Sequence, residues 1–205
     1  MHTPAPGSAG WIRPTEDDRE RVASAVRAAV DDGRLDLDEA GRRLSATYRA
    51  RTQGIYDGNF GRWPGARPFN WRLAEDDIGT ARMVTAGDLP QSTALDVRYF
   101  GSTSGVLAEQ YVFAEPGNYK LQLAARRRTT GATGGRMSME VRCVGGEVIA
   151  TLPLEPLDMQ LRTMATPVAV PPGCQLLLVR LVGTPGEVFS EVEAQITAVA
   201  LVRGG

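Results

Sequence analysis

At Gly54 the spacing of apolar residues changes from helical to alternating, and that break decides what this chain can fold into. Before it, apolar residues recur every three to four positions. After it, short period-2 runs are cut by Gly and Pro as far as Leu201. The first pattern predicts amphipathic helices and the second predicts strands. The chain therefore reads as a leader over 1–13, expected to be disordered, a helical hairpin over 14–53, and a β domain over 54–205. Of its 205 residues, 42% are hydrophobic, enough for a sizeable core.

Within the hairpin, Thr15 is an N-cap with Asp18 three residues on, the spacing of a capping box. Glu16, Asp17 and Asp18 place negative charge at the positive end of the helix dipole. Val22, Val26, Ala29 and Val30 then share one face, and Gly33 is a natural C′ residue. Asp36 and Glu39 start a second helix, whose stripe is Ala40, Leu44 and Tyr48. Arg49 and Arg51 suit its C-terminal end. So short a pair buries little by itself. Its apolar faces need the β domain, another element or a partner.

In the β domain, Leu95, Val97 and Tyr99 alternate with polar residues. So do Tyr119, Leu121 and Leu123, then Met137, Met139, Val141 and Cys143, then Val192, Ala194 and Ile196. The run from Cys174 to Val182 is almost wholly apolar, as expected of a central strand covered on both faces. Turn signals fall at Pro116-Gly117-Asn118, Gly131 to Gly135, Gly145-Gly146, Pro171-Pro172-Gly173 and Pro185-Gly186. Eight to ten short strands at this spacing form an antiparallel sandwich. The expected fold is mainly β, a jelly-roll sandwich preceded by the helical hairpin.

Composition excludes several functions. The formal net charge is −1, which gives no global attraction to nucleic acid. The one histidine, His2, lies in the leader, so no Ser-His-Asp or Cys-His set can be assembled in the core. Two cysteines without a core histidine are too few soft ligands for zinc. No run approaches the length of a membrane span. Met1 to Gly10 lacks the basic start and apolar centre of a signal peptide, so the expectation is cytoplasmic as written, or extracytoplasmic if the sequence is excised from a longer exported chain. Cys143 and Cys174 are open between two buried thiols and one disulfide. A bridge requires neighbouring strands with Cα atoms within about 7 Å.

Two resemblances follow from particular strings. Asp18-Arg19-Glu20-Arg21-Val22, then Asp32 to Glu39, then Arg43-Leu44 and Ala50-Arg51-Thr52 resemble a domain-of-unknown-function family found at the N-termini of actinobacterial proteins. That family is similar to SHOCT-type helical hairpins. The match covers about residues 13 to 53, with Ala40 in a position where the family often has an aromatic. It implies an interaction or assembly module and no catalysis. The strings Ile55 to Phe60, Phe69-Asn70-Trp71-Arg72 and Pro116-Gly117-Asn118-Tyr119-Lys120-Leu121 resemble the jelly rolls of carbohydrate-binding modules. That likeness implies a sandwich and a glycan or other polar ligand.

Candidate ligand contacts are Trp63 and Trp71, which flank a Pro/Gly-rich segment and could stack on a sugar. Tyr99, Phe100 and Tyr111 lie in strands that could line a concave face. Tyr99 and Phe100 must point to opposite faces. Arg126, Arg127 and Arg128, with Arg136, form the one basic cluster, suited to an anion through Arg126 and Arg128 or to guarding a sheet edge. Asp57 and Asn59 offer too few oxygens for calcium, and no metal or cofactor is expected. Glu75, Asp76 and Asp77 form an acidic loop, and paired carboxylates, as in glycosidases, are the one hydrolytic chemistry left open without a positioned histidine. The expected function is a non-catalytic protein whose sandwich binds a glycan or other polar ligand and whose hairpin binds a protein partner or itself. The alternatives are an assembly adaptor without a small ligand and, last, a carboxylate-based glycoside hydrolase.

Overall fold

The structure is a computed structural model that describes residues 28, 32, 55, 58–60, 70–86, 93–128, 135–155, 157–174, 176–187 and 191–204. Within the expected hairpin, the Asp32 N–H donates to the Ala28 carbonyl at 2.9 Å, the i to i−4 bond of a helical turn. The hairpin as a whole, and Trp63, lie outside the described residues.

Ten strands follow: β1 (Arg72–Leu73), β2 (Gly79–Thr85), β3 (Thr93–Tyr99), β4 (Gly105–Phe113), β5 (Gly117–Arg127), β6 (Arg136–Cys143), β7 (Val148–Pro153), β8 (Arg162–Val170), β9 (Leu176–Thr184) and β10 (Val192–Arg203). They pair into two five-stranded sheets, β1-β4-β9-β6-β7 and β2-β3-β10-β5-β8. Every pairing is antiparallel. The result is a sandwich of the jelly-roll kind, with the core between the sheets. β9 and β10 are the central strands.

The alternation read from sequence sets which side chains enter that core. Leu95, Val97, Leu121, Leu123 and Ile196 come from one sheet, and Met139, Val141, Leu177, Val179 and Leu181 from the other; all are fully buried. Each such side chain contributes about 1.5–3 kcal/mol of transfer free energy. Two of the turn signals hold: Gly145 lies between β6 and β7, and Gly173 between β8 and β9, both with the positive φ that glycine tolerates.

Gly58, Asn59 and Phe60 form a turn. Beyond Ile196, where the β3 pairing of β10 ends, the Val199 N–H donates to the Gly58 carbonyl at 2.8 Å. A Cβ on Gly58 would meet the Val199 carbonyl oxygen at 2.0 Å, so only glycine allows this approach. Phe60 adopts a left-handed backbone, φ 56°, while its ring is buried against Trp71 with centroids 5.7 Å apart.

Cys143 and Cys174 form a disulfide, with Cα atoms 5.6 Å apart. Cys143 ends β6 and lies in register with Leu177 of the neighbouring β9. Strand adjacency, which the sequence left open, is therefore met.

Candidate functional site

The outward face of the β1-β4-β9-β6-β7 sheet carries the polar half of the alternation. Register places Arg72 opposite Glu109, Glu109 opposite Arg180, Arg180 opposite Glu140, and Glu140 opposite Thr151. A row of alternating charge thus crosses β1, β4, β9 and β6 and ends on the hydroxyl-bearing Thr151 of β7. Opposite charges directly across a sheet attract and hold one another in place. Glu109 accepts from Arg72 Nη1 at 3.4 Å and from Arg180 Nε at 3.1 Å. Its side chain is only 17% exposed, so these contacts are less screened than those of a free surface pair.

A second row runs beside the first. Tyr111 lies opposite Leu178, Leu178 opposite Arg142, and Arg142 opposite Val148. The Arg72 guanidinium carbon sits 5.5 Å from the centroid of the Tyr111 ring, within cation–π range. Arg142 Nη2 donates to the Gly146 carbonyl at 2.6 Å, which ties it to the β6–β7 turn. Leu178 is buried although it lies outside the main core cluster. It forms an apolar floor between the tyrosine and the arginine. The surface thus offers an aromatic plate, an aliphatic floor, guanidinium donors and carboxylate acceptors. Such a set matches a ligand that has both hydroxyl groups and apolar C–H faces.

The residues singled out in the sequence go elsewhere. Trp71 is 3% exposed and packs on Phe60; its buried Nε1 has no hydrogen-bond partner among the described residues. Tyr99 is wholly buried, its hydroxyl donating to the Thr103 carbonyl at 3.0 Å. Both were expected at a ligand surface, and both are core residues: the phase of β3 points Tyr99 between the sheets, and Trp71, just before β1, packs there on Phe60. Phe100 is half-buried, beneath the Arg98 guanidinium at 5.8 Å. Arg126 and Arg128 lie on the other sheet. Arg126 Nε donates to Gln195 Oε1 at 2.9 Å, and Arg128 Nη1 to Asp96 Oδ1 at 2.9 Å. Asp96 also pairs with Arg82 at 3.7 Å. These arginines knit strands β2, β3, β5 and β10 together and do not join the Tyr111 rows.

The acidic cluster has a local structural use. Asp76 Oδ1 accepts from the backbone N–H groups of Ile78 and Gly79 at 3.0 and 3.3 Å, an Asx-type turn between β1 and β2. Asp57 lies outside the described residues. The Asn59 carbonyl accepts from Thr93 Oγ1 at 2.9 Å.

Sequence reading missed Arg72, Glu109, Glu140, Arg142 and Arg180 as site residues. One signal was available: Arg180 is the only charge in the apolar run from Cys174 to Val182. A charge in the central strand of a sheet marks the face that is not core.

Residues 12–55 match the DUF1707 SHOCT-like domain family. The sandwich is similar to the carbohydrate-binding module CBM4, at 12% identity and a TM-score of 0.50, over 73% of this chain and 99% of that one. It is also similar to the C-terminal family 22 carbohydrate-binding module of Clostridium thermocellum Xyn10B, at 13% identity and a TM-score of 0.49, over 74% and 96%. The enzymatically active domain of bacteriophage CBA120 tailspike protein 4 matches at 16% identity and a TM-score of 0.49; 74% of this chain is covered but only 22% of the tailspike chain. No curated protein matches the chain by sequence. At such identities the likeness speaks to the fold alone.

Proposed function

We propose that the sandwich is a non-catalytic glycan-binding domain and that the ligand lies across the outward face of the β1-β4-β9-β6-β7 sheet. The observation that carries this reading is the pair of rows through Tyr111 and Arg180. Tyr111 would stack on the C–H face of a sugar ring, Leu178 would floor the contact, and Arg142, Arg180 and Glu140 would bond hydroxyl groups. Glu109 acts by holding Arg72 and Arg180 in place. Trp63 remains a candidate for a flanking stack, since it was marked by its Pro/Gly surroundings. The jelly-roll architecture, shared with CBM4, is compatible with such a face.

The hairpin is the interaction module of the pair. The disulfide further supports an oxidising compartment, so we place the working protein outside the reducing cytoplasm. Calorimetric titration of the full chain with soluble xylan, β-glucan, galactan and arabinan tests the ligand. Binding to at least one is expected. Replacement of Tyr111 by Ala should weaken it about tenfold, the loss of about 1.4 kcal/mol that a ring contact of this kind supplies. Absence of binding across the panel would favour the second reading, an assembly adaptor without a small ligand. That reading is motivated by the DUF1707 SHOCT-like match over residues 12–55, together with the sequence resemblance, which implies an interaction or assembly module.

A further inference from the structure

The outward face of the β2-β3-β10-β5-β8 sheet carries an unusual patch of small residues. Ala198 lies opposite Ala124, and Ala124 opposite Thr163. One row along, Ala200 lies opposite Gln122, and Gln122 opposite Ala165. Ala94 of β3 continues the patch. It faces away from the core and is absent from the core cluster, yet it is 0% exposed. Thr197, at the bulge of β10, is 3% exposed. An alanine-rich sheet face is poor in the long polar side chains that normally solvate one, and an outward alanine with no exposure has something over it.

The chain itself arrives at this patch. The Gly58 carbonyl is bonded to the N–H of Val199, between Ala198 and Ala200, and the Asn59 carbonyl to the hydroxyl of Thr93, beside Ala94. Five Cα-to-Cα steps separate Gln53, the end of the hairpin read from sequence, from Gly58. Fully extended they span at most about 18 Å, less than the width of a five-stranded sheet at about 4.8 Å per strand. The hairpin is therefore tethered within reach of the patch at high effective concentration. It carries a valine stripe, Val22, Val26 and Val30, that it cannot bury alone, and a flat small-residue face lets a helix approach closely enough to bury it.

We propose that the N-terminal hairpin of the same chain docks through its valine stripe on the Ala94, Ala124, Ala198 and Ala200 patch, as a third layer on the sandwich. The proposal rests on the reading of residues 14–53 as an interaction module and names its first partner. The patch is on the sheet opposite the Tyr111 rows, so docking leaves the glycan face open.

The test is limited trypsin digestion of the full chain, with release of peptides from residues 14–53 followed by mass spectrometry. Ala198→Arg and Ala200→Arg each put a long charge on the outward face without entering the core. Each should speed cleavage at Arg27, Arg34 and Arg42 by about tenfold, because cleavage tracks the undocked population. Hydrogen exchange of the β9 amides should be unchanged, which shows that the sandwich is folded, and Thr151→Arg on the other sheet should leave cleavage at the wild-type rate. A wild-type hairpin cleaved as fast as the isolated 14–53 peptide would overturn the proposal together with the interaction-module reading. A protected hairpin that neither substitution exposes would overturn the docking site alone. A dimer by light scattering that Ala200→Arg splits would also overturn it, and would put a second copy's hairpin on the patch.

Discussion

Gly183 and Gly135 lie flat against the Tyr99 ring, where an added Cβ would come within 2.4 and 2.3 Å of ring carbons. The tyrosine thus fills the space that two glycines leave, and the three residues form one packing unit. Gly183→Ala should destabilise the fold by about 1–3 kcal/mol, read as a lower urea midpoint at unchanged slope. Burial also raises the Tyr99 hydroxyl pKa above its ordinary value of 10.0. The unfolded chain then loses this proton at lower pH than the folded chain. The stabilisation is complete below pH 10 and is lost as pH rises from there toward the folded value. Tyr99→Phe should flatten that alkaline decline, measured as urea midpoints between pH 9 and 11. The inward phase of Tyr99 was legible, since Leu95 and Val97 share it. Its role was not, because glycines distant in sequence make its pocket.

At the scale of elements, legibility followed position in the sheet. The strands with clean period-2 or apolar runs, β3, β5, β6, β9 and β10, are all interior strands. Of the five that carried no such signal, β1, β2, β7 and β8 are the four sheet edges, and β4 is the one interior strand among them. An interior strand packs neighbours on both sides, which constrains its pattern, whereas an edge strand is half free. The β8 sequence RTMATPVAV is correspondingly exposed at Arg162, Thr163, Ala165, Pro167 and Ala169. The site suffered from the same geometry. Arg72, Glu109, Arg180 and Glu140 lie on four different strands, and only the register brings them into one row. The disulfide clips the end of β6 to the start of β9, with a sequence separation of 31. In the chain-entropy picture a loop of that size contributes about 3–4 kcal/mol. Replacing both cysteines by serine should lower stability by that amount in denaturant titration. Tyr111 binding should weaken less, since its β4 strand is held by β9 on one side and β1 on the other.

For the whole molecule, the break at Gly54 was legible because it separates two periodicities, and the DUF1707 SHOCT-like match ends beside it, at 55. How the start of the β domain attaches to its sheet was not legible. The bonds from Gly58 and Asn59 to β10 and β3 are backbone and hydroxyl contacts that no apolar pattern records. A glycan face and a docking patch on opposite sheets would let one domain bind a polymer while the hairpin is carried behind it. Glycan binding depends on the first of these faces. Its most direct test is calorimetric titration of the full chain, wild type and Tyr111→Ala, against the polysaccharide panel. The predicted result is saturable binding of at least one polysaccharide that the substitution weakens about tenfold while the melting temperature is held. Binding that is absent throughout, or that Tyr111→Ala leaves unchanged, would contradict it.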